Sequence, residues 1–243
     1  ATSLMGIGGF PETHRLSTGL IGMHGSKASN MAATECDLLI AVGARFSDRV
    51  TSSVGTFAPH AKIIHIDVDP AEISKNVASY TAIIGDAKEI LISLIELVGQ
   101  RDHTEWLEEV AHWKEEFGFD YQRDSSLRPQ FIMEEIYKQT EGEAIITTEV
   151  GQHQMWAAQF YKYTTPRTYI SSGGLGTMGY GTGASIGAQI ARADKRVVHI
   201  AGDGSFRMNC NELSTVAYYN VPVIIIVVNN SVLGMVRQWQ TIF

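Results

Sequence analysis

The chain has 243 residues, 44% of them hydrophobic, with a formal net charge of −7 and a pI near 5.6. That is enough apolar material for one large or two ordinary globular cores. The net acidity excludes a general electrostatic attraction to nucleic acid or an anionic membrane, so any phosphate must be held by local groups. Its two cysteines, Cys36 and Cys210, lie far apart with no CxxC or Cys/His spacing. This argues against a zinc site or a disulfide framework and fits a reducing cytoplasm. No apolar run is long enough for a membrane span and no signal peptide opens the chain, so a cytoplasmic protein without nucleic-acid or membrane partners is expected.

In chain order, residues 37–44 (DLLIAVGA) and 62–68 (KIIHIDV) read as short strands ended by glycine or acidic residues, with helical patterns near 70–78 and at 86–98. Residues 102–123 are charged and aromatic, as in a surface helix and linker. From Pro129 the alternation resumes with helix 129–139, strand 143–149, helix 152–162, strand 167–171, helix 177–191, strand 196–201, helix 208–219 and strand 222–228. Apolar strands alternating with helices predict parallel sheets covered by helices. The expected fold class is α/β, with two doubly wound parallel-sheet domains: residues 1–98, a linker at 99–125, and residues 126–243. The chain starts at Ala1 rather than Met, and residues 234–243 carry an amphipathic pattern without a cap. Both ends read as those of a piece of a longer protein.

In open parallel sheets, ligands collect beyond the carboxyl ends of the strands. Four loops fall there: Val150-Gly151-Gln152-His153, residues 172–178, Gly202-Asp203-Gly204-Ser205, and Asn229-Asn230. Asp203 offers a hard anionic oxygen and Asn230 a neutral amide oxygen, a set suited to Mg²⁺ bridging a diphosphate. The backbone N–H groups of Gly204 and Ser205 suit phosphate oxygens. Taken alone, Gly-Asp-Gly reads as a turn and Asn-Asn as a helix-capping pair; it is the combination that points to a metal-diphosphate site. A competing motif, Gly174-Leu175-Gly176-Thr177-Met178-Gly179, satisfies the dinucleotide pattern G-x-G-x-x-G and keeps an NAD-dependent dehydrogenase open as an alternative.

Gly202-Asp203-Gly204, followed after 24 residues by Asn229-Asn230, resembles the signature of thiamine diphosphate enzymes. VGQHQMWAAQFY (150–161), SSGGLGTMGYG (171–181), GDGSFRMNCNEL (202–213), LGMVRQWQ (233–240), GMHGSKASN (22–30) and LLIAVGARFSDRV (38–50) narrow the resemblance to the large catalytic subunits of biosynthetic acetolactate synthase. The resemblance covers nearly the whole chain. It implies that residues 1 to about 98 are the later part of a middle, FAD-binding domain and that 126–243 are most of a thiamine diphosphate domain truncated at its C-terminus.

Carried over residue by residue, the resemblance makes Asp203 and Asn230 side-chain ligands of Mg²⁺ and Val232 a backbone carbonyl ligand. Thiamine diphosphate would meet Val150, Gly151, Gln152, His153, Gly176, Met178, Asp203, Gly204, Ser205 and Asn230, with Met178 bracing the bent cofactor. Met235, Val236 and Trp239 fall on the substrate side. FAD contacts map to Ile21, Gly22, Met23, His24, Gly43, Arg45, Arg49, Val50, Asp67, Val68, Asp86 and Ala87. Arg45 and Arg49 are suited to phosphates and Asp67 to a ribose hydroxyl.

The implied reaction is decarboxylation of pyruvate and transfer of the two-carbon unit to a second 2-keto acid, pyruvate or 2-ketobutyrate, on the way to branched-chain amino acids. Another thiamine diphosphate-dependent 2-keto acid decarboxylase or lyase is the nearer alternative. The activating glutamate of such enzymes lies in an N-terminal domain that matches nothing here. No catalytic residue is therefore assigned, and these 243 residues alone are expected to be inactive. The resemblance further implies a homo-oligomer, dimer or tetramer, that can carry a small regulatory subunit.

Overall fold

A computed structural model describes residues 1–242. The chain divides into two compact units, one built from residues 18–118 and the other from residues 2–17 with 119–243.

In the first unit, Ser26 starts helix α1 (Lys27–Glu35) by accepting the Ser29 N–H on its Oγ at 2.9 Å. Strands β1 (Leu38–Val42), β2 (Lys62–Asp67) and β3 (Thr81–Ile84) form a parallel sheet in that order, with Leu38 opposite Lys62 and Ile64 opposite Thr81. A one-turn helix, α2 (Asp48–Thr51), follows β1. Ala41, Phe46, Ile63 and Val77 form the core on one side of the sheet. Asp86 caps α3 (Ala87–Leu97), accepting the N–H groups of Lys88 and Glu89 at 2.9 and 3.3 Å.

One expectation changes here. Residues 70–78 form only a single 3-10 turn, Pro70–Glu72, because Ser74 takes a left-handed φ of 55° that no helix continues through. The chain then re-enters the sheet as β3, which the sequence pattern did not suggest. The helix expected within residues 102–123 forms as α4 (Thr104–Glu116), joined to this unit through buried Trp113 and by Lys27 Nζ, 3.4 Å above the Phe117 ring.

The second unit begins with α5 (Pro129–Gln139), whose first residue is the proline that tolerates a missing N–H. There follow β4 (Ile145–Thr148), α6 (Gln152–Phe160), β5 (Tyr169–Ser171), α7 (Tyr180–Ala191), β6 (Val197–Gly202), α8 (Asp203–Phe206), α9 (Leu213–Tyr218), β7 (Ile224–Val228) and α10 (Gly234–Ile242). All four strands are parallel, in the order β5-β4-β6-β7. The central pair is dry: Ile146, Val197, Val198 and Ile200 are each at most 2% exposed. Each such side chain contributes about 1.5–3 kcal/mol of hydrophobic stabilisation.

Strand β7 was expected to be fully buried. It is instead the sheet's edge, with Ile224 37% and Val227 39% exposed, because only β6 flanks it. The helix expected at 208–219 is broken into a 3-10 turn at Cys210–Glu212 and the short α9, since Asn209 leaves helical geometry at φ −137°.

Residues 2–17 pack within the second unit. Glu12 accounts for this: its N–H donates to the Tyr163 carbonyl at 2.9 Å, and its carboxylate accepts the Tyr163 N–H at 3.0 Å. Tyr163 itself is fully buried against Tyr161 and Tyr169, with ring centroids 4.8 and 5.1 Å away.

Candidate functional site

The chain leaves β4 for β5 on one side and returns to β6 on the other. The strand order therefore reverses between β4 and β6, and a crevice opens there beyond their carboxyl ends. An open cleft with about 440 Å³ of empty space occupies this place. Its lining includes Val150, Gly151, Gln152 and His153 after β4, Met178 before α7, Gly202 to Ser205 after β6, and Asn230, Val232, Met235 and Val236 after β7.

Register accounts for the convergence. Gly202 pairs with Val228, so the residues that follow, Asp203 on one strand and Asn229-Asn230 on the other, leave the sheet side by side. Each asparagine then tightens the turn: Asn229 Oδ1 accepts the Ser231 N–H at 2.9 Å and Asn230 Oδ1 the Val232 N–H at 3.2 Å. The amide oxygen of Asn230 keeps a second lone pair for a cation. Among the described residues no group of three His, Cys, Asp or Glu side chains is placed to hold a metal ion. A cation at Asp203 would therefore draw its other ligands from amide, carbonyl and phosphate oxygens, a preference of Mg²⁺.

His153 is 6% exposed and its Nε2 is buried without a hydrogen-bond partner among the described residues. Burial, reinforced by neighbouring His199, pushes its pKa down to about 4, so it lines the cleft as a neutral ring with one polar atom unsatisfied. An orphaned polar atom in this position fits a phosphorylated ligand that brings its own partners.

Two predicted positions stand apart from the lining: Gly176 and Trp239 are not among the residues that bound the cleft. Trp239 is half-buried on α10. Conversely, Trp156, Val228, Leu233 and Gly234 line the cleft without having been singled out. Trp156 sits one helical turn beyond Gln152, a spacing that could have flagged it. Gln152 also donates from Nε2 to Gln238 Oε1 at 3.0 Å, fixing the start of α6 to α10.

The dinucleotide-like run at 174–179 does precede a helix, but the anion site at the start of that helix is already filled. Glu149 places a carboxylate there, accepting the N–H groups of Gly179 at 2.5 Å and Thr182 at 3.1 Å. A pyrophosphate would have to displace it, which removes the physical basis for the nicotinamide reading.

In the first unit, the flavin-assigned residues gather at the carboxyl edge of its sheet. Gly22 lies against the backbone of Arg49 and Val50, where a Cβ would stand 2.8 Å from Val50 Cα, and Met23 N–H donates to the Arg49 carbonyl at 2.8 Å. Ile21 to His24 thereby adjoin Arg49 and Val50. Gly43 follows β1, Asp67 ends β2 with Val68 next after it, and Asp86 and Ala87 follow β3. Arg45 and Arg49 present exposed guanidinium groups suited to phosphate. Asp67 is 8% exposed and its Oδ1 accepts the Asp69 N–H at 2.9 Å, while Asp86 caps α3, so both carboxylates already serve the chain itself.

A parallel sheet with glycine-rich turns, one carboxylate and one amide oxygen at the crevice of its strand-order reversal defines a protein that holds a phosphorylated cofactor. The chain belongs to the thiamine pyrophosphate enzymes: the family described as "Thiamine pyrophosphate enzyme, central domain" matches residues 1–94, and "Thiamine pyrophosphate enzyme, C-terminal TPP binding domain" matches residues 149–243. Within that family it is similar to acetolactate synthase large subunits. It is 48% identical over 255 residues to the probable acetolactate synthase large subunit of Methanocaldococcus jannaschii, covering 100% of this chain and 43% of that protein. With the large subunit of Corynebacterium glutamicum the identity is 49% over 249 residues, covering 100% and 40% respectively. With isozyme 3 of Escherichia coli it is 42% over 246 residues, covering 98% and 43%. The chain thus spans less than half the length of these relatives.

Proposed function

We propose that the protein carrying this chain is an acetolactate synthase, which converts two 2-keto acids, pyruvate with pyruvate or 2-ketobutyrate, into a branched 2-hydroxy-2-acyl acid and carbon dioxide for branched-chain amino acid synthesis. The observation that carries the reading is the β6/β7 register, which sets Asp203 beside Asn229-Asn230 at the strand-order reversal, in a chain whose relatives are named for this activity. Thiamine diphosphate, when bound, supplies the electron sink for the decarboxylation.

The chain's own residues hold and shape. Asp203, the Asn230 amide oxygen and the Val232 carbonyl take Mg²⁺, and Val150 to His153 with Gly204 and Ser205 take the diphosphate. Met178 supports the pyrimidine, with Gly176 in the same loop. Met235 and Val236 border the substrate from α10, with Trp239 further along it. FAD is assigned to the carboxyl edge of the first sheet, with Arg45 and Arg49 on its phosphates.

Naming the relatives large subunits supports a smaller companion chain; a homo-oligomer of this chain is proposed with it. Among the described residues no helix is long and apolar enough to cross a membrane; a cytoplasmic location is proposed with the biosynthetic role.

The full-length protein supplied with thiamine diphosphate, Mg²⁺ and FAD is expected to form acetolactate from pyruvate. Consumption of pyruvate to acetaldehyde, with no acetolactate, would replace this reading by a simple decarboxylase.

A further inference from the structure

Glu149 stands between β4 and the Val150–His153 loop and is completely buried, at 0% exposed. Its Oε2 accepts the Gly179 N–H at 2.5 Å; Oε1 accepts the Thr182 N–H at 3.1 Å and the Thr182 hydroxyl at 3.4 Å. Gly179 is the N-cap residue of α7 and has no side chain to cap it. A carboxylate from a neighbouring strand therefore does for α7 what a local Ser or Asn does for other helices.

The approach is too close for any side chain between them. A Cβ on Gly181 would stand 2.8 Å from the Glu149 nitrogen and from the Thr148 carbonyl carbon, backbone atoms that cannot swing away. Met178, adjacent to Gly179 in the chain, lines the cleft. Fixing the Gly179 N–H thus fixes the residue beside it.

We propose that Glu149 is a positioning residue for the cofactor: through the Gly179 N–H it sets Met178 in the cleft at the depth that supports the pyrimidine end of thiamine diphosphate. This rests on the cofactor reading given above. A carboxylate is required because two backbone donors face it, one per oxygen. Glutamine offers one acceptor and one donor, so either Gly179 or Thr182 would face an NH₂ group. Aspartate is one methylene shorter and loses reach.

The test is calorimetric titration of the full-length protein, wild type and Glu149→Gln, with Mg²⁺-thiamine diphosphate and separately with Mg²⁺-pyrophosphate, which lacks the ring. Glu149→Gln is expected to weaken thiamine diphosphate about tenfold or more while changing pyrophosphate by less than about twofold. In the Met178→Ala background the same substitution is expected to add almost nothing, since it acts through Met178.

Equal weakening of both ligands, no weakening of either, or additive losses in the double variant would each overturn the assignment. If Glu149→Gln does not fold, Met178→Ala alone decides: unchanged affinity for thiamine diphosphate overturns the proposal. Failure of the wild type to bind thiamine diphosphate at all overturns the cofactor reading itself, and the proposal with it.

Discussion

Asp203→Ala is expected to lower magnesium-dependent affinity for thiamine diphosphate by at least about a hundredfold, the effect of removing the one anionic side-chain ligand proposed for a hard cation. Among the described residues that line the cleft, Asp203 is the only carboxylate. The remaining oxygen donors assigned there, the Asn230 amide and the Val232 carbonyl, are neutral and weaker. Asp203→Asn is expected to fall between wild type and alanine, since it keeps an oxygen of the right kind without the charge. Thermal stability without cofactor should change little, because Asp203 is half-buried at the start of a four-residue helix and supports no part of the core. Calorimetry with and without Mg²⁺ checks this; undiminished binding by the alanine variant contradicts the assignment.

The second large effect is loss of stability on mild acidification. His153 and His199, 6% and 0% exposed, are both pushed by burial from 6.5 down to about 4, so each is neutral in the folded protein. Over that interval the unfolded chain binds the protons and the folded one does not. Stability from these two rings is therefore complete above about pH 6.5 and is lost as the pH falls toward 4, by at most about 3 kcal/mol for each ring.

His199 lies between Thr147, whose Oγ1 is 3.1 Å from Nδ1, and Glu149, whose Oε1 is 3.7 Å from Nε2. The second distance is too long for a hydrogen bond. The ring is driven neutral, so the two are not an ion pair. Glu149 acts in the opposite sense: burial raises its pKa, so its contribution is largest at low pH and declines as the pH rises through the raised value. Denaturant titration between pH 4 and 7 is expected to show a rising stability whose slope is reduced in His199→Gln. A slope no smaller in His199→Gln than in the wild type would mean that the His199 ring is charged or solvated in the fold.

What the sequence made legible followed from burial on two faces. The runs at 143–149 and 196–201 became β4 and β6, the central strands, because short stretches rich in Ile, Val and Thr suit a strand covered on both sides. The apolar run 222–228 carries the same pattern but lies at the edge, since neighbours in a sheet are set by strand order, which residue type does not encode. β3 was hidden for another reason: Thr81–Ile84 has only four residues, three of them exposed, between two segments that read as helical.

At the site, Asp203, Asn230 and the loop after β4 were recognisable because their chemistry is unusual for their position. Glu149 was not, because an acid before Val-Gly reads as the polar end of a strand; only the fold shows it buried under another helix. Trp156 and Leu233 were missed for the same reason, as apolar residues beside polar motifs carry no signal until the cleft is closed around them.

A metal-diphosphate site is proposed at the ends of β6 and β7. Diffraction from crystals of the full-length protein grown with thiamine diphosphate and Mn²⁺ in place of Mg²⁺ tests it most directly, through the anomalous signal of the manganese. A peak is expected about 2.1–2.2 Å from an Asp203 carboxylate oxygen, the Asn230 amide oxygen and the Val232 carbonyl, with diphosphate oxygens completing the octahedron. A manganese peak bound elsewhere, with Asp203 and Asn230 left facing solvent, would contradict it.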